Sequence, residues 1–511
     1  MARFVTKRLY DVHSAVGLSF GLLLYAILLS GTIAVVAPQM TTWAVPEARV
    51  APVQASVDAP MRDLAEVHDI RDHIVVVELP EPAKPSLRLW WSDETARHAI
   101  DVGLDGTPEP WSPGFGEFHR RLHTNLHIPG PFGRWLIGLA GVAMVVMLVT
   151  GLVADPRWRK DRLVLRPRRA VRTALADIHK RLGLWGLPFS MVMALTGALL
   201  GLLQLILVVG ALAAFEGDQE AAVEAVVGER LDPAEVDADM APIDPLIEDA
   251  RRRLGHSPRQ LLVYYYGDAN ARVEVSAFVD DLGERAAATY SLADGSFVRR
   301  TPVSPDVGVA ITNGLIDLHY ATFGGTVLRL IYFLLGVGGT AMAALGSSLW
   351  VLRRRKSRGT PAPGRMARLN AGIIAGMPLA TAATVLVAPW IARDASTMAT
   401  FTSLYFGIVV ASLVGSMAWP GFFSSRRLWA ATGWLLVAAV ALDMVRMGAE
   451  LPRSVSITPG LATSYGGIAL VGIVVLGVLR ASGRNDAATR HGSAAPGAAV
   501  DDSDPTDVDD S

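Results

Sequence analysis

The chain has 511 residues, of which 51% are hydrophobic, and a mean hydropathy of +0.35, which is too apolar for an ordinary soluble enzyme. Its formal net charge is −1, so no overall positive field favours nucleic acid as a partner. The chain contains no cysteine, which excludes disulfides, iron–sulfur clusters and covalent attachment of c-type haem.

Apolar stretches of bilayer length recur along the whole chain. They predict a polytopic bundle of about eight transmembrane helices. The first stretch is too long for the core of a signal peptide and is not followed by a clear cleavage site, so it is retained as a span. In chain order the stretches cover 16–37, 134–153, 183–213, 327–352, 370–391, 399–419, 428–447 and 460–480.

Basic residues indicate which loops face the cytoplasm. The segment after the second span and the segment after the fourth span are rich in Lys and Arg, and short basic loops stay in the cytoplasm. Both termini are then predicted to be cytoplasmic.

Two long segments face the other side and read as small α+β modules. The second has a helical pattern at 244–254, and strand-like runs are present in both segments. The predicted fold is therefore an all-α polytopic membrane bundle with two small periplasmic α+β modules. The strand-like runs cover 74–79, 87–91, 98–102, 260–266, 271–279 and 286–290, with turns at Asp105-Gly106 and Asp294-Gly295.

These features divide the chain into nine parts. The last part is polar and rich in Ala and Asp, which predicts disorder. In order, the parts are the first span (1–37), the first outer module (38–118), a His-rich helix with the second span (119–153), a basic cytoplasmic loop (154–182), the third span (183–213), an acidic linker at 216–239 with the second outer module (214–318), the fourth span with its basic end (319–358), a bundle of four further spans (359–481) and the tail (482–511).

The first half of the chain is an internal duplication. Adding 166 to landmarks of the first span gives those of the third, and spans two and four match more loosely through Leu126-His127 and Leu318-His319. The residues that match at the offset of 166 are Asp11/Asp177, His13/His179, Gly17/Gly183, Leu18/Leu184, Ser30/Thr196 and Gly31/Gly197.

Four histidines stand at the ends of these spans. His13 and His179 lie at the cytoplasmic ends, and His127 and His319 lie at the outer ends. Two imidazoles meeting across packed helices are the axial ligands of low-spin b-type haem, so the pattern predicts two haem sites, one per leaflet. Glycines beside them (Gly17, Gly183, Gly133, Gly324 and Gly325) would let a flat macrocycle approach the backbone. Two plainer readings are that the histidines are interfacial residues or that the Asp and His residues cap helices.

A second group of histidines precedes the second span. His119, His123 and His127 are spaced by four, which places them along one stripe of a helix. At least one should ligate the outer haem; the others could tune a propionate, bind substrate iron or lie in water. The repeat favours His127, and His119 is predicted not to ligate.

The region between Phe118 and Gly201 resembles the PepSY-associated transmembrane family of iron-regulated bacterial inner-membrane proteins. The resemblance covers roughly residues 1–358 and includes the two outer segments, which are similar to PepSY domains. The motifs that carry it are Leu122-His123-Thr124-Asn125-Leu126-His127, Gly133-Arg134-Trp135, Thr150-Gly151, Arg166-Pro167, Asp177-Ile178-His179, Pro188-Phe189 and Leu318-His319 with Phe323-Gly324-Gly325.

The resemblance implies a haem-bearing reductase that releases iron from ferric siderophores in the periplasm. It also implies that His13 and His179 hold the inner haem, and that His123 or His127 holds the outer haem with His319. One departure concerns the segment after span two, where Asp155-Pro156 replaces the His-Lys pair of many relatives. The inner site could therefore be altered.

The functional hypothesis is a di-haem b-type protein of the bacterial inner membrane that reduces an Fe3+ chelate. The electron donor is an unknown cytoplasmic protein or a quinol, since the cytoplasmic loops contain no dinucleotide or flavin motif. The alternatives are a non-enzymatic membrane scaffold or sensor, and a permease for iron or its chelate. Aromatic residues of the outer modules could form a docking face, although packing in the module core is the more favoured interpretation. Asp443 and Arg446 could mark a partner or proton site, although a pair that satisfies itself is the more favoured interpretation. The aromatic residues are Trp90, Trp91, Trp111, Tyr264, Tyr265 and Tyr266.

Overall fold

The structure is a computed structural model of the chain. Several predicted features lie outside the residues that it describes. They are most of the acidic linker (219–231, apart from residue 221), the end of the predicted tail (493–511), Asp105-Gly106, Trp111 and Gly324. The described residues are 2–44, 56–80, 87–92, 97–102, 108–110, 114–161, 163, 171–218, 221, 232–278, 285–301, 307–321, 323, 325–358, 364–391, 396–452, 455 and 460–492.

Eight helices of the described part are long and apolar enough to cross a membrane, which confirms the predicted number and positions of the spans. The last helix continues to Gly492, past the predicted start of the tail. The eight helices are α1 (Ala2–Val35), α5 (Phe132–Val153), α8 (Leu187–Ala214), α11 (Gly325–Arg358), α12 (Arg365–Val387), α13 (Thr397–Ala418), α14 (Ser425–Met447) and α15 (Gly460–Gly492).

Shorter helices connect the spans to the rest of the molecule. Two of them, α4 and α10, precede spans α5 and α11 and carry His123 and His319. The shorter helices are α2 (Ala37–Ala44), α3 (Asp58–Val67), α4 (Phe115–Asn125), α6 (Trp158–Asp161), α7 (Val171–Trp185), α9 (Ile243–Leu254) and α10 (Val307–Tyr320).

The duplicated half forms a four-helix bundle in which the repeats interlock. Helix α1 packs on α11, and α5 packs on α8, so the first span of each repeat pairs with the second span of the other. The close approaches are at glycine. A Cβ on Gly201 of α8 would lie 2.7 Å from the Cα of Gly138 on α5, and a Cβ on Gly336 of α11 would lie 2.6 Å from the Oγ1 of Thr32. Small residues at these crossings bring the backbones together, as in membrane helix pairs generally.

The two outer segments join into one eight-stranded antiparallel sheet rather than forming two separate sheets. Strands β1 (Ile74–Glu78) and β5 (Gln260–Tyr264) pair directly at its centre, with Val76 opposite Leu262. The strand order is β4-β3-β2-β1-β5-β6-β7-β8. The remaining strands are β2 (Leu87–Ser92), β3 (Arg97–Val102), β4 (Pro108–Pro110), β6 (Arg272–Phe278), β7 (Arg285–Ser291) and β8 (Phe297–Thr301).

Helices α3 and α9 cover one face of this sheet and cap each other. The carboxylate of Asp58 accepts the backbone N–H of Ile243 at 2.5 Å, and the carboxylate of Asp244 accepts the backbone N–H of Val57 at 2.8 Å. Each helix N-terminus thus takes its capping carboxylate from the other repeat. The residues between helices and sheet include Met61, Leu64, Val75, Val77, Leu89, Leu246, Ile247, Val263 and Val273, all buried.

The aromatic residues proposed for a docking face are only partly available. Trp91 is 3% exposed and belongs to the sheet core, stacked on His98 and tilted against His68. Trp90 is half-buried and donates its Nε1–H to Glu78. Core packing explains Trp91, so it contributes no docking surface.

The four additional spans pack against the duplicated bundle along its length, from Ser348 of α11 to Trp43 of α2. Trp43 of α2 is fully buried and donates Nε1–H to the carbonyl of Val385 on α12, at 3.1 Å. Asp443 accepts a hydrogen bond of 2.5 Å from the hydroxyl of Tyr465. Arg446 reaches the carbonyl of Pro389 and lies over Trp390. Both charged residues thus have partners on neighbouring segments.

Candidate functional site

The connectivity of the bundle gives it two ends. The sheet lies at the end where α1 and α8 finish and α5 and α11 begin; His123 and His319, called here the sheet-side pair, lie at that end. His13 and His179, called the far-side pair, lie at the opposite end of α1 and just before α8.

The far-side pair brings together the two histidines related by the offset of 166. The ring centroids of His13 and His179 are 6.4 Å apart, and the ring planes are at 71°. His13 Nδ1 is 2.9 Å from the carbonyl of Met147 on α5, and His179 Nδ1 is 2.9 Å from the carbonyl of Met342 on α11. Each imidazole is therefore fixed by a helix of its own repeat.

The sheet-side pair has a similar separation and a different mutual angle. The ring centroids of His123 and His319 are 6.1 Å apart, and the planes are only 22° from parallel. His123 Nδ1 is 3.0 Å from the carbonyl of Ile27. His319 Nδ1 is 2.8 Å from the hydroxyl oxygen of Thr196, which itself donates to the carbonyl of Val192 at 2.7 Å.

These contacts assign the proton on each ring. A carbonyl can only accept, so the Nδ1 atoms of His13, His123 and His179 must be the protonated ones; the Thr196 hydroxyl already donates elsewhere, so it accepts from His319. In the neutral imidazole, Nε2 then carries the free lone pair. That is the tautomer in which histidine binds a metal through Nε2 while a carbonyl or hydroxyl orients the ring.

Each of the four imidazoles also lies against a glycine. For the three rings that bond to a carbonyl, the glycine follows the carbonyl residue by four positions, and for His319 it follows Thr196 directly. A Cβ on Gly31 would lie 2.7 Å from Cε1 of His123, and one on Gly151 would lie 2.9 Å from Cε1 of His13. The corresponding distances from Gly197 to His319 and from Gly346 to His179 are both 3.2 Å. Any side chain at these positions would displace a ring, so glycine is a steric requirement of the arrangement.

The separations suit one iron between two imidazoles. Two bonds of about 2 Å, each followed by about 1 Å from the nitrogen to its ring centroid, span about 6 Å. No group of three or more His, Asp or Glu side chains in the described part of the chain is placed to hold a bare metal ion. Two imidazoles can bind an iron at only two positions, so an iron between them would need its other four ligands from a macrocycle such as haem.

A cavity of about 760 Å³ contains the far-side pair. His13 and His179 both line it, and it is otherwise mostly apolar, with charged groups at 155, 172, 177, 180, 181 and 353. The volume lies in the range of cofactor pockets. Repeat-related residues line it in pairs: Gly17 and Gly183, Met147 and Met342, Gly151 and Gly346.

Asp155, where the resemblance led us to expect a departure from the family pattern, lines the same cavity. Its carboxylate pairs with Lys180 at 3.0 Å. The far-side pair is complete without it, because His13 and His179 already face each other. The departure from the family pattern therefore does not remove an imidazole from this pair.

His127 and His119 lie apart from the sheet-side pair. The repeat favoured His127 as the partner of His319, but His123 occupies that position. His127 follows the reversal at the end of α4, where Leu126 and His127 both have positive φ angles, and its Nε2 is 2.9 Å from the carbonyl of Phe118. His119 is fully buried among Phe115, Phe118 and Tyr405.

Burial keeps the imidazoles of the two pairs neutral. It lowers the pKa of His319 to about 3, with a further contribution from His123, and it lowers the pKa of His123 and of His179. Hydrogen bonds to the carbonyls of Ile27 and Met342 only partly oppose this. Neutral imidazole is the form that ligates iron.

Sequence reasoning missed Met147, Met342, Gly151 and Gly346 as parts of the site. The signal was present: Met-x-x-x-Gly occurs in span two at 147–151 and again in span four at 342–346. Those two motifs share one offset of 195, which places them in equivalent positions of the two repeats.

Residues 10–353, which hold all four paired histidines, match the model of the PepSY-associated TM region. The chain belongs to this family. It is also 28% identical over 346 residues to the uncharacterized protein PA4219 of Pseudomonas aeruginosa, a match covering 63% of this chain and 85% of that protein. The family membership predicted from the histidine motifs is confirmed, and this PepSY-associated protein is a multi-pass membrane protein with eight candidate spans.

Proposed function

We propose that the chain is a di-haem b-type electron-transfer protein that reduces a ferric siderophore, or another Fe3+ chelate, at the sheet side of the membrane. The observation that carries this proposal is the geometry of the two histidine pairs, 6.4 Å and 6.1 Å between ring centroids. Under the proposal the protein lies in a bacterial inner membrane with the sheet in the periplasm and both termini in the cytoplasm, as the basic loops predict. The two halves of the sheet would be its PepSY modules.

His13 and His179 would hold one haem, and His123 and His319 the other. Each bound haem would supply a one-electron Fe(III)/Fe(II) couple at its end of the bundle. The chain's own contribution is to keep the four imidazoles neutral, oriented through Nδ1 and backed by glycine.

The bundle also sets the distance between the two ends. His13 and Ile27, the acceptor of His123, lie on the same helix, and at 1.5 Å per residue their levels differ by about 20 Å. Two redox groups of this size at those levels would span most of the roughly 30 Å hydrocarbon core. A quinol or a reduced cytoplasmic protein would provide the electrons, and each Fe3+ ion of the chelate would accept one electron.

Reduction releases iron because of ligand preference. Siderophores bind Fe3+ through hard oxygen atoms, and Fe2+ is a softer and weaker partner for the same atoms. The product would be Fe2+ at the sheet side, available for uptake.

The test starts with the visible spectrum of the purified full chain. We expect reduced-minus-oxidised b-type bands from two haems per chain, about half of which remain in His179→Ala and in His319→Ala, and none in the double variant. The reduced protein, mixed without oxygen with a ferric chelate, should be reoxidised while a ferrous-specific chelator traps Fe2+. A colourless protein from haem-replete cells that still supports full iron uptake would exclude the proposal, and so would reduced haem that no ferric chelate oxidises.

A further inference from the structure

A charged cluster lies beside the sheet-side pair on α4. The carboxylate of Glu117 accepts hydrogen bonds from Arg120 at 2.5 Å and 2.6 Å, and from Arg121 at 2.7 Å. Glu117 is largely buried, whereas Arg120 and Arg121 are 40% and 37% exposed. Two guanidinium groups share one carboxylate, so the cluster carries one net positive charge.

The Glu117 carboxylate is ionised at neutral pH. Burial raises its pKa, but the hydrogen bonds and charges of Arg120 and Arg121 outweigh burial and lower it overall. With Glu117 ionised, the three side chains carry one net positive charge between them, and Arg120 keeps N–H donors that Glu117 does not use.

The position of Arg120 connects the cluster to the sheet-side pair. Arg120 and His123 are three residues apart on α4, which places them about 60° apart around the helix and about 4.5 Å apart along it. Arg120 also lies near Tyr320, the residue after His319. The guanidinium is therefore one helical turn from His123 and near the end of the helix that carries His319.

The guanidinium has bonding capacity beyond Glu117. It carries five N–H donors in a planar fork, and the bidentate pair with Glu117 uses two of them. A partly exposed arginine that is already held in place by a carboxylate loses little side-chain freedom when it binds a second one.

We propose that Glu117, Arg120 and Arg121 form a carboxylate-binding site that takes the acidic groups of an anionic ferric chelate at the sheet end of the bundle. This inference rests on the proposed function and narrows its substrate class to chelates with free carboxylates and net negative charge. A positive site beside the point of reduction both steers such a chelate and holds it. The cluster does not act on neutral ferric hydroxamates.

The chain contains a matched control. On α9, Asp249 pairs with Arg252 and Arg253 at the same spacings that Glu117 uses with Arg120 and Arg121. That cluster lies on a helix that packs on the sheet, and Arg252 is 70% exposed. It therefore has the same ion pairs as the cluster on α4, but it is on a helix that carries no paired histidine.

Binding of redox-inactive gallium complexes tests the proposal without relying on bound haem. The probes are anionic gallium citrate and neutral gallium tris(acetohydroxamate), titrated calorimetrically into the full chain in nanodiscs. Arg120→Gln should weaken gallium citrate binding by about tenfold or more, since a hydrogen bond to a charged group is lost. Arg120→Lys should recover part of the loss, and Arg252→Gln should bind as the native chain does.

Stopped-flow reoxidation of the reduced protein gives a second readout. Arg120→Gln should slow reoxidation by ferric citrate and leave that by ferric acetohydroxamate unchanged. Equal gallium citrate affinity in Arg120→Gln and the native chain overturns the inference. A changed haem content with unchanged gallium citrate binding assigns the cluster to haem propionates and overturns it too. If no ferric chelate oxidises the reduced haem, the proposed function fails. A loss of gallium citrate affinity in Arg120→Gln would still show that the cluster binds carboxylates.

Discussion

The far-side and sheet-side pairs use the same chemistry with different geometry. Both hold neutral imidazoles through Nδ1 and press them against glycine, yet the ring planes stand at 71° in one pair and 22° in the other. Three acceptors are backbone carbonyls, and one is the hydroxyl of Thr196. The two ends of the duplicated bundle therefore share their residue types and their Nδ1 contacts but differ in the angle between the paired rings.

The angle between axial imidazole planes should be visible in the ferric state. Nearly parallel planes separate the energies of the two iron d orbitals that interact with the imidazoles, and nearly perpendicular planes leave them close together. We therefore expect two low-spin electron paramagnetic resonance signals, a rhombic one from the sheet side and a highly anisotropic one from the far side.

The largest expected effect is the loss of one haem without the other. His123→Ala should remove the rhombic signal and about half of the haem, because imidazole ligation is the attachment of a b-type haem. His127→Ala, on the same segment, is the control and should keep both signals. Haem per chain and the two signals are the measurements; loss of the rhombic signal in His127→Ala instead would reverse the assignment.

Glycine substitutions should come next in size. Gly31→Ala on the sheet side and Gly151→Ala on the far side place a Cβ less than 3 Å from a ring, and overpacking of this kind costs about 1–3 kcal/mol. Each should speed haem loss to apomyoglobin from its own pair by about tenfold. Gly197→Ala and Gly346→Ala, with more room, should have smaller effects.

Gly210→Ala is the matched control for this series, since a Cβ there meets no atom within 4 Å. Equal rates of haem loss in Gly31→Ala and Gly210→Ala would mean that the ring of His123 is free to move. The steric account of the glycines would then be wrong.

A moderate effect is expected from removing the Thr196 hydroxyl, the one acceptor among the four that is not a backbone carbonyl. Thr196→Val removes the acceptor of His319 Nδ1–H, and the weaker donor ligand should raise the sheet-side potential by about 40 mV, the equivalent of roughly 1 kcal/mol for one electron. Thr150→Val is the control, because that hydroxyl also precedes a glycine but His13 bonds to the carbonyl of Met147. Spectroelectrochemical titration measures both; equal shifts in the two variants would contradict this interpretation.

The smallest effect is expected at the ion pair of Asp155, the residue at which the chain departs from the family pattern expected from its sequence. Lys180→Gln breaks a partly exposed ion pair with Asp155, and such pairs contribute about 0–1 kcal/mol. Haem content and the highly anisotropic signal should stay as in the native chain. Loss of that signal would show that Asp155 and Lys180 support the far-side site directly.

Local patterns predicted most of the fold. The eight spans and six of the eight strands were found, because hydropathy and alternation are properties of short segments. The edge strand β4 runs from Pro108 to Pro110 and was missed, since proline argues against a strand except at a sheet edge. The joining of the two outer segments was also missed, because β1 and β5 are far apart in sequence.

The site was predicted in part for similar reasons. The offset of 166 between spans correctly brought His13 together with His179, since both precede equivalent helices. The choice between His123 and His127 depends on where α4 ends. His319 precedes the left-handed residue Ala321 that ends its helix, whereas His127 follows the left-handed Leu126, and sequence spacing alone does not reveal this reversal.

The exchanged caps between Asp58 and Asp244 bind the two repeats together during synthesis. Until the ribosome has made Gln260–Tyr264, β1 has an unpaired central edge, and the helix that begins at Asp58 lacks the carboxylate that accepts the N–H of Val57. An open edge of this kind pairs readily with other chains. Nascent chains that stop within the third span should therefore aggregate through β1.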